Sequence, residues 1–360
     1  NITMADFNVN HITGKQGQQG TVLAGVTTVS STGSMRIPSG PTEQRGGRGR
    51  GVFCGGYYGA APSPSNIDAS MDYVEIATTG NATDFGDMAY VAAKQGSVSS
   101  STRGVTGGGI SPSNLAKMQY VIISSKGGGS TFGDLTLART HPAAASNTTR
   151  GLFAGGWNPI SFNVIDYITI ATTGGASDFG DLKQPRWFAG NGRASTTRMV
   201  FIGGVTQSVA PWSPAPNALY ENMIDYVEIA TKGNSQDFGE LSGGLKGYGM
   251  GCGNASSTTR TVTMGGYYDP ADVNTIHYLT FATKGNSNDF GDLLATTRGG
   301  GSTSSQTRGL LAGGRTPTQV NTIQYITIAT TGNATDFGDS TRIVAFNNAG
   351  LSDCHGGLGE

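Results

Sequence analysis

Apolar and polar positions alternate over a short stretch that recurs six times along the chain. It reads "DYVEIATTG", "QYVIISSKG", "DYITIATTG", "DYVEIATKG", "HYLTFATKG" and "QYITIATTG", around Tyr73, Tyr120, Tyr167, Tyr226, Tyr278 and Tyr325. Tyr, Ile and Ala share one register with Val, Thr or Glu between them, the period of two that a β-strand imposes. A shorter apolar run precedes each copy and stops at a glycine pair, as in "RGVFCGG" from Arg50 and "RGLFAGG" from Arg150. Small-residue stretches such as "AAASNTTR" lead into these runs, and "FGD" or "FGE" follows each tyrosine strand after a polar turn. No apolar period of 3.6 is visible, which argues against a helical solenoid.

Each unit thus offers four short strands, and successive tyrosines stand 47, 47, 59, 52 and 47 residues apart. Four strands in about 40–50 residues, repeated, predict propeller blades. The expected fold is all-β: a six-bladed β-propeller over residues 46–360, with blade landmarks at Arg50, Arg103, Arg150, Arg198, Arg260 and Arg308. The tail "LSDCHGGL" aligns with "SNTTRGLF" of the third unit, with His355 at the arginine position. Residues 342–360 are therefore expected to close the ring, supplying the innermost strand of the first blade beside Arg50. Residues 1–45 lie outside the repeat. There "TVLAGVTTVSSTGSMRIP" predicts two short strands with a glycine turn, too little to bury a core, and hence an attachment segment.

"IATTGNATDFGD" at Ile76 returns letter for letter at Ile328. Its carboxylates recur as Asp84, Asp87, Asp178, Asp181, Asp237, Asp289, Asp292, Asp336 and Asp339. A catalyst is needed once and a turn six times, so the phrase reads as structural: Asn and the first Asp bonding nearby amides, Gly bending the chain, Phe packing between blades. Thr131 in place of the first Asp agrees with this, and no kinase loops accompany the Asp-Phe-Gly. The six landmark arginines are expected to pair with aspartates of their own or an adjacent blade; a cationic ring around the axis is the other reading. His11, His141, His277 and His355 are scattered, so no metal site and no cofactor is expected. No glutamate pair stands out as a glycosidase acid and base.

The units differ most between the glycine pair and the tyrosine strand. Those connections hold Tyr57, Tyr58, Trp157, Trp212, Tyr220, Tyr267 and Tyr268, and all leave the same end of corresponding strands. They are the candidate ligand-binding face, since aromatics amid Asn, Ser and Asp can stack on sugars or anchor a protein partner. Capping of each blade's own apolar face is the alternative.

Composition narrows the partners. Glycine is 58 of 360 residues without a Gly-X-Y period, charged residues are 13 % and net charge is −1. Collagen is excluded, and the charge gives no footprint for nucleic acid. The short apolar runs predict no membrane insertion. Cys54, Cys252 and Cys354 have no paired spacing and predict neither a disulfide framework nor a zinc site; synthesis in a reducing cytoplasm follows.

The unit resembles the kelch repeat over roughly residues 50–339, through the arginine-preceded strand ending in Gly-Gly and the tyrosine strand after it. The usual kelch tryptophan is absent, with Phe85, Phe132, Phe179, Phe238, Phe290 and Phe337 in its place. The segment before the repeats, the phrase "IATTGNATDFGD" and the closing "HGGL" are similar to virion proteins of tailed phages, particularly marine cyanobacterial ones. That resemblance implies a non-enzymatic structural and adhesive virion-surface protein, made in the host cytoplasm. It would be bound to other virion proteins through residues 1–45 and would contact host glycans or a virion subunit by its loops. Analogy with fibres points to a homotrimer. The competing expectation is a carbohydrate-active propeller enzyme, sialidase-like or oxidase-like.

Overall fold

The computed structural model describes residues 28–29, 35–36 and 49–359, apart from 59–65, 188–189, 207–219, 243–246, 249–252, 269–270 and 346–348. It is a six-bladed β-propeller. The third unit shows the plan. From the axis outward run Ala143–Ser146, the arginine strand Arg150–Ala154, the tyrosine strand Val164–Thr169 and the outer strand Ser177–Asp181, each antiparallel to the next. Leu152 lies opposite Tyr167, and Tyr167 opposite Ser177. A bulge beside the residue preceding the tyrosine recurs in all six units. It sharpens the twist of the outer strand.

The ring closes as the repeat alignment predicts. Ala349–Ser352 pairs with Arg50–Tyr58, setting Ser352 opposite Gly51 and Leu351 opposite Val52. The first blade therefore takes its innermost strand from residues almost 300 positions later, and no blade is left half-built. Cys54 and Cys354 are buried free thiols; Cys252 lies outside the described residues. In the amino-terminal segment, Thr28–Val29 pairs with Met35–Arg36, matching the two expected strands, and the rest of residues 1–45 lies outside the description.

The core sits between blades. Six apolar clusters occupy the six seams, and every repeat phenylalanine packs into the following blade. Phe85 meets Val121 and Ile123, Phe179 meets Val227 and Ile229, and Phe337 meets Val74 and Ile76. Each phenylalanine also lies edge-on to its own blade's tyrosine, as at Tyr226 and Phe238 with centroids 5.9 Å apart. That is the favoured geometry for such a pair. Burying one face per blade against its neighbour leaves the polar innermost strands to line the axis.

Candidate functional site: the seams, the axis and the loop face

The repeat phrase works across seams rather than within turns. Gly80 and Ala82 donate backbone N–H groups to the carbonyls of Phe337 and Asp339 in the preceding blade, both at 2.8 Å, and the same two bonds recur at every seam. Asn81 does not bond its own turn, as the sequence suggested. Its Oδ1 accepts from the Asp339 N–H at 3.0 Å, and Asn234, Asn286 and Asn333 do the same in their seams. The glycine of "DFGD" makes this approach feasible: at Gly338 (φ 146°) a Cβ would stand 2.5 Å from the Gly80 carbonyl oxygen. Exposed outer edges invite pairing with other chains, and here each is covered by its neighbour's turn. The first aspartates, Asp84, Asp178, Asp237, Asp289 and Asp336, are exposed on the outer strands and do not cap turns.

The landmark arginines also differ from expectation. They neither pair with the repeat aspartates nor ring the axis. Arg150 donates to the carbonyls of Ile229 and Ala230 in the next blade, at 2.6 and 3.1 Å, and its guanidinium lies 4.9 Å from the Tyr167 ring centre. Arg103, Arg260 and Arg308 repeat this pattern. Arg50 and Arg198 make the forward bond to Ile123 and Phe281, and add an ion pair to Glu75 and Glu228 of their own blades.

Two buried ion pairs escaped the sequence reading. Arg139 meets Asp166 at 2.8 Å and Arg186 meets Asp225 at 2.9 Å, all four side chains fully buried. Both arginines lie in blade-to-blade connections, and the aspartates precede the repeat tyrosine. In other blades Asp72, Gln119 and Gln324 hold that slot, and they likewise bind the incoming connection, at Thr341, Tyr90 and Leu294. His277 holds it in the fifth blade, and burial lowers its pKa. The shared slot was visible in the sequence; the arginines were not, because they fall outside the repeat phrase.

The axis is nearly filled. Serines of the innermost strands link blade to blade: Ser146 Oγ donates to Ser99 O, Ser99 Oγ to Ser352 O, Ser352 Oγ to Ser304 O, Ser304 Oγ to Ser256 O, and Ser256 Oγ to Ala194 O. A cavity of about 20 Å³ remains among them, room for roughly one water. Arg193 reaches into it and donates to Asn254 O and to both oxygens of Ser302. Burial lowers its pKa to about 10. At the end nearest the arginines, the turn Gly356–Leu358 lies across the axis. His355 Nε2 is 2.9 Å from Ser99 O, and Gln306 Nε2 donates to His355 O. Burial brings the His355 imidazole down to about 4, partly opposed by the Ser99 contact and aided by the Arg193 charge. At neutral pH this histidine is a neutral plug residue. Among the described residues no group of three His, Cys, Asp or Glu could hold a metal, and no helix there is long and apolar enough to cross a membrane.

The opposite face is uneven. In the second, third and sixth blades the arginine strand ends at the glycine pair. In the other three it continues as a raised hairpin: Arg50–Tyr58 with Ile67–Glu75, Arg198–Val205 with Tyr220–Glu228, and Arg260–Tyr268 with Ala271–Thr280. Gly247–Tyr248 bridges the hairpins of the fourth and fifth blades into one sheet. Tyr57, Tyr58, Tyr220, Tyr267 and Tyr268 are thus strand residues, not loop residues. Tyr57 is wholly buried, Tyr58 is exposed, and Tyr267 is half-buried beneath Arg298, 5.5 Å from its ring centre. Trp157 is half-buried, with backbone bridges to Thr140 and Ser161. Trp212 lies outside the described residues. Of these aromatics, Tyr57, Tyr58, Trp157 and Tyr267 have described side chains, and among those four Tyr58 and Trp157 present surface without a cation over the ring. The third tryptophan, Trp187, is buried against His141 with ring centres 5.7 Å apart.

No protein-family model matches this chain, and a search of curated proteins finds no match.

Proposed function

We propose that this propeller is a non-enzymatic structural and adhesive module of a virion surface. In this reading it is held through residues 1–45 and displays its uneven face to host glycans or a neighbouring subunit. The observation carrying this reading is the polarity of the disc. The chain enters at Gly49, beside the arginine end of the first blade, and the closing tail crosses the axis at that same end. The raised hairpins and variable connections lie at the other end. Tyr58, Val91, Leu137, Ile160, Leu294 and Ile343 are there too, six of the seven large apolar side chains exposed among the described residues. One-sided apolar exposure on a rigid scaffold is the pattern of a contact surface.

Glycan-array and cell-surface binding by the intact protein, beside a mass measurement of its assembly state, tests this. Trp157→Ala and Tyr58→Ala are expected to weaken binding at least tenfold while leaving the melting transition within a few degrees. Unchanged binding by both variants removes the adhesive reading, and hydrolysis of a bound glycan that depends on one carboxylate replaces it with an enzyme.

A further inference from the structure

The closing phrase "HGGL" falls outside the repeat. The strand Ala349–Ser352 delivers it to the arginine end of the axis, where Gly356–Leu358 makes a single turn. Its two glycines fit because they lack side chains. A Cβ at Gly356 would overlap the Ser257 carbonyl of the fifth blade, and one at Gly357 the Ser146 carbonyl of the third. Gln306 of the sixth blade donates to the carbonyls of His355 and Gly359, at 3.0 and 3.3 Å. His355 itself reaches Ser99 of the second blade. One short turn thus ties four other blades to the tail.

The two ring nitrogens of His355 have opposite duties. Nε2 lies 2.9 Å from Ser99 O, a carbonyl that can only accept, so Nε2 carries the hydrogen. Nδ1 accepts the Gly357 N–H at 3.1 Å, which requires a lone pair there. Together these bonds specify one neutral tautomer. An imidazolium would carry a second hydrogen on Nδ1 and set it against the Gly357 N–H, donor against donor, in a turn with no room to shift. Among the described residues, Arg193 of the fourth blade is the charged group that faces the ring from another element, and its charge opposes a second one. The strand ends of the second, third, fifth and sixth blades meet the turn with hydroxyls, an amide and carbonyls. On the tail itself, the Asp353 carboxylate accepts the Arg50 N–H, and Cys354 is a buried thiol.

We propose that His355 is an acid-operated latch on the closing turn. A solvent proton taken up at Nδ1 removes the acceptor of the Gly357 N–H, the turn lifts from the strand ends, and the arginine end of the axis opens. Burial and the Arg193 charge hold the ring at about 4, against 6.5 for a freely solvated histidine. Between those values the released ring binds a proton that the held ring refuses. Closure is therefore favoured in full above 6.5 and is lost as pH falls towards 4, at up to about tenfold per pH unit. The latch lies at the end opposite the loop face and stands whatever that face binds.

Hydrogen exchange of the intact protein from pH 7 to pH 4 tests this, with each amide rate divided by its intrinsic rate at that pH. Protection of residues 356–358 is expected to fall by roughly a hundredfold, while the strand Ala349–Ser352 keeps its own. His355→Asn retains an acceptor for the Gly357 N–H but takes up no proton, so its protection is expected to stay level over the same range. Should that variant not fold, His355→Gln, which keeps a donor for Ser99 O, carries the comparison. In the parent protein, nitrogen chemical shifts of the His355 ring are expected to report hydrogen on Nε2 alone at pH 7. Protection that does not change with pH, a fall shared equally by the strand, the same fall in the variant, or hydrogen on Nδ1 at pH 7 overturns the latch.

Discussion

A lysine amine taken out of water resists its charged form, and Lys94 makes that resistance measurable. Its folded pKa of about 7 lies below the ordinary lysine value of 10.5. Between those two values the unfolded chain binds more protons than the folded one, so stability rises with pH across the window. The contribution is fully present above the unfolded value and is lost as pH falls through the folded one. Denaturant midpoints measured from pH 7 to 10 are expected to climb in the parent protein more steeply than in Lys94→Met. Parallel profiles would show that Lys94 does not carry the effect. Single residues of this kind were poorly legible in the sequence. Lys94 and His141 look like ordinary linker residues until the ring brings them together. Arg139 and Asp166 are 27 residues apart, and only the aspartate belongs to the repeat phrase. The repeat phenylalanines were legible because each seam imposes the same demand.

Among elements, the turn that covers the neighbouring outer strand has a natural control. Four blades place Asn there, whereas the second and third have Gly128 and Gly175. A Cβ at Gly175 would come no closer than 3.7 Å, to the carbonyl oxygen of Asp134, and its φ is not in the left-handed range. Gly175→Asn is therefore expected to restore the side-chain bond to the Asp134 amide and to reduce unfolded-chain freedom. Together these should stabilise by roughly 1 kcal/mol, read as a higher denaturant midpoint; a lower one would count against the seam geometry. The strands were read correctly from alternation and glycine pairs. The raised hairpins were not, because their extensions are rich in Tyr, Asn, Ser and Pro and carry loop-like composition. Pairing to the facing strand, Tyr57 to Ile67 and Tyr267 to Asp272, decides their state.

At the scale of the whole molecule, closure by Ala349–Ser352 makes the first blade depend on the last residues. Removing residues 342–360 deletes that strand with its Leu351 from one seam, the following Cys354 from another, and the turn across the axis with them. The truncated chain is expected to lose its cooperative unfolding transition and to aggregate through an unpaired arginine strand. An unchanged calorimetric transition would refute this. Blade count and closure were legible because a ring is the arrangement that lets six equal units each bury one face.

Every seam is drawn with nearly one vocabulary: an arginine reaching forward, a glycine-turned loop reaching back, a phenylalanine between. Such joints hardly distinguish one neighbour from another, so the covalent chain rather than the contacts dictates who stands beside whom. The protein is in that sense a ring of nearly interchangeable parts. Its rim can be rewritten hairpin by hairpin, and its sectors duplicated or exchanged, without relearning how to close.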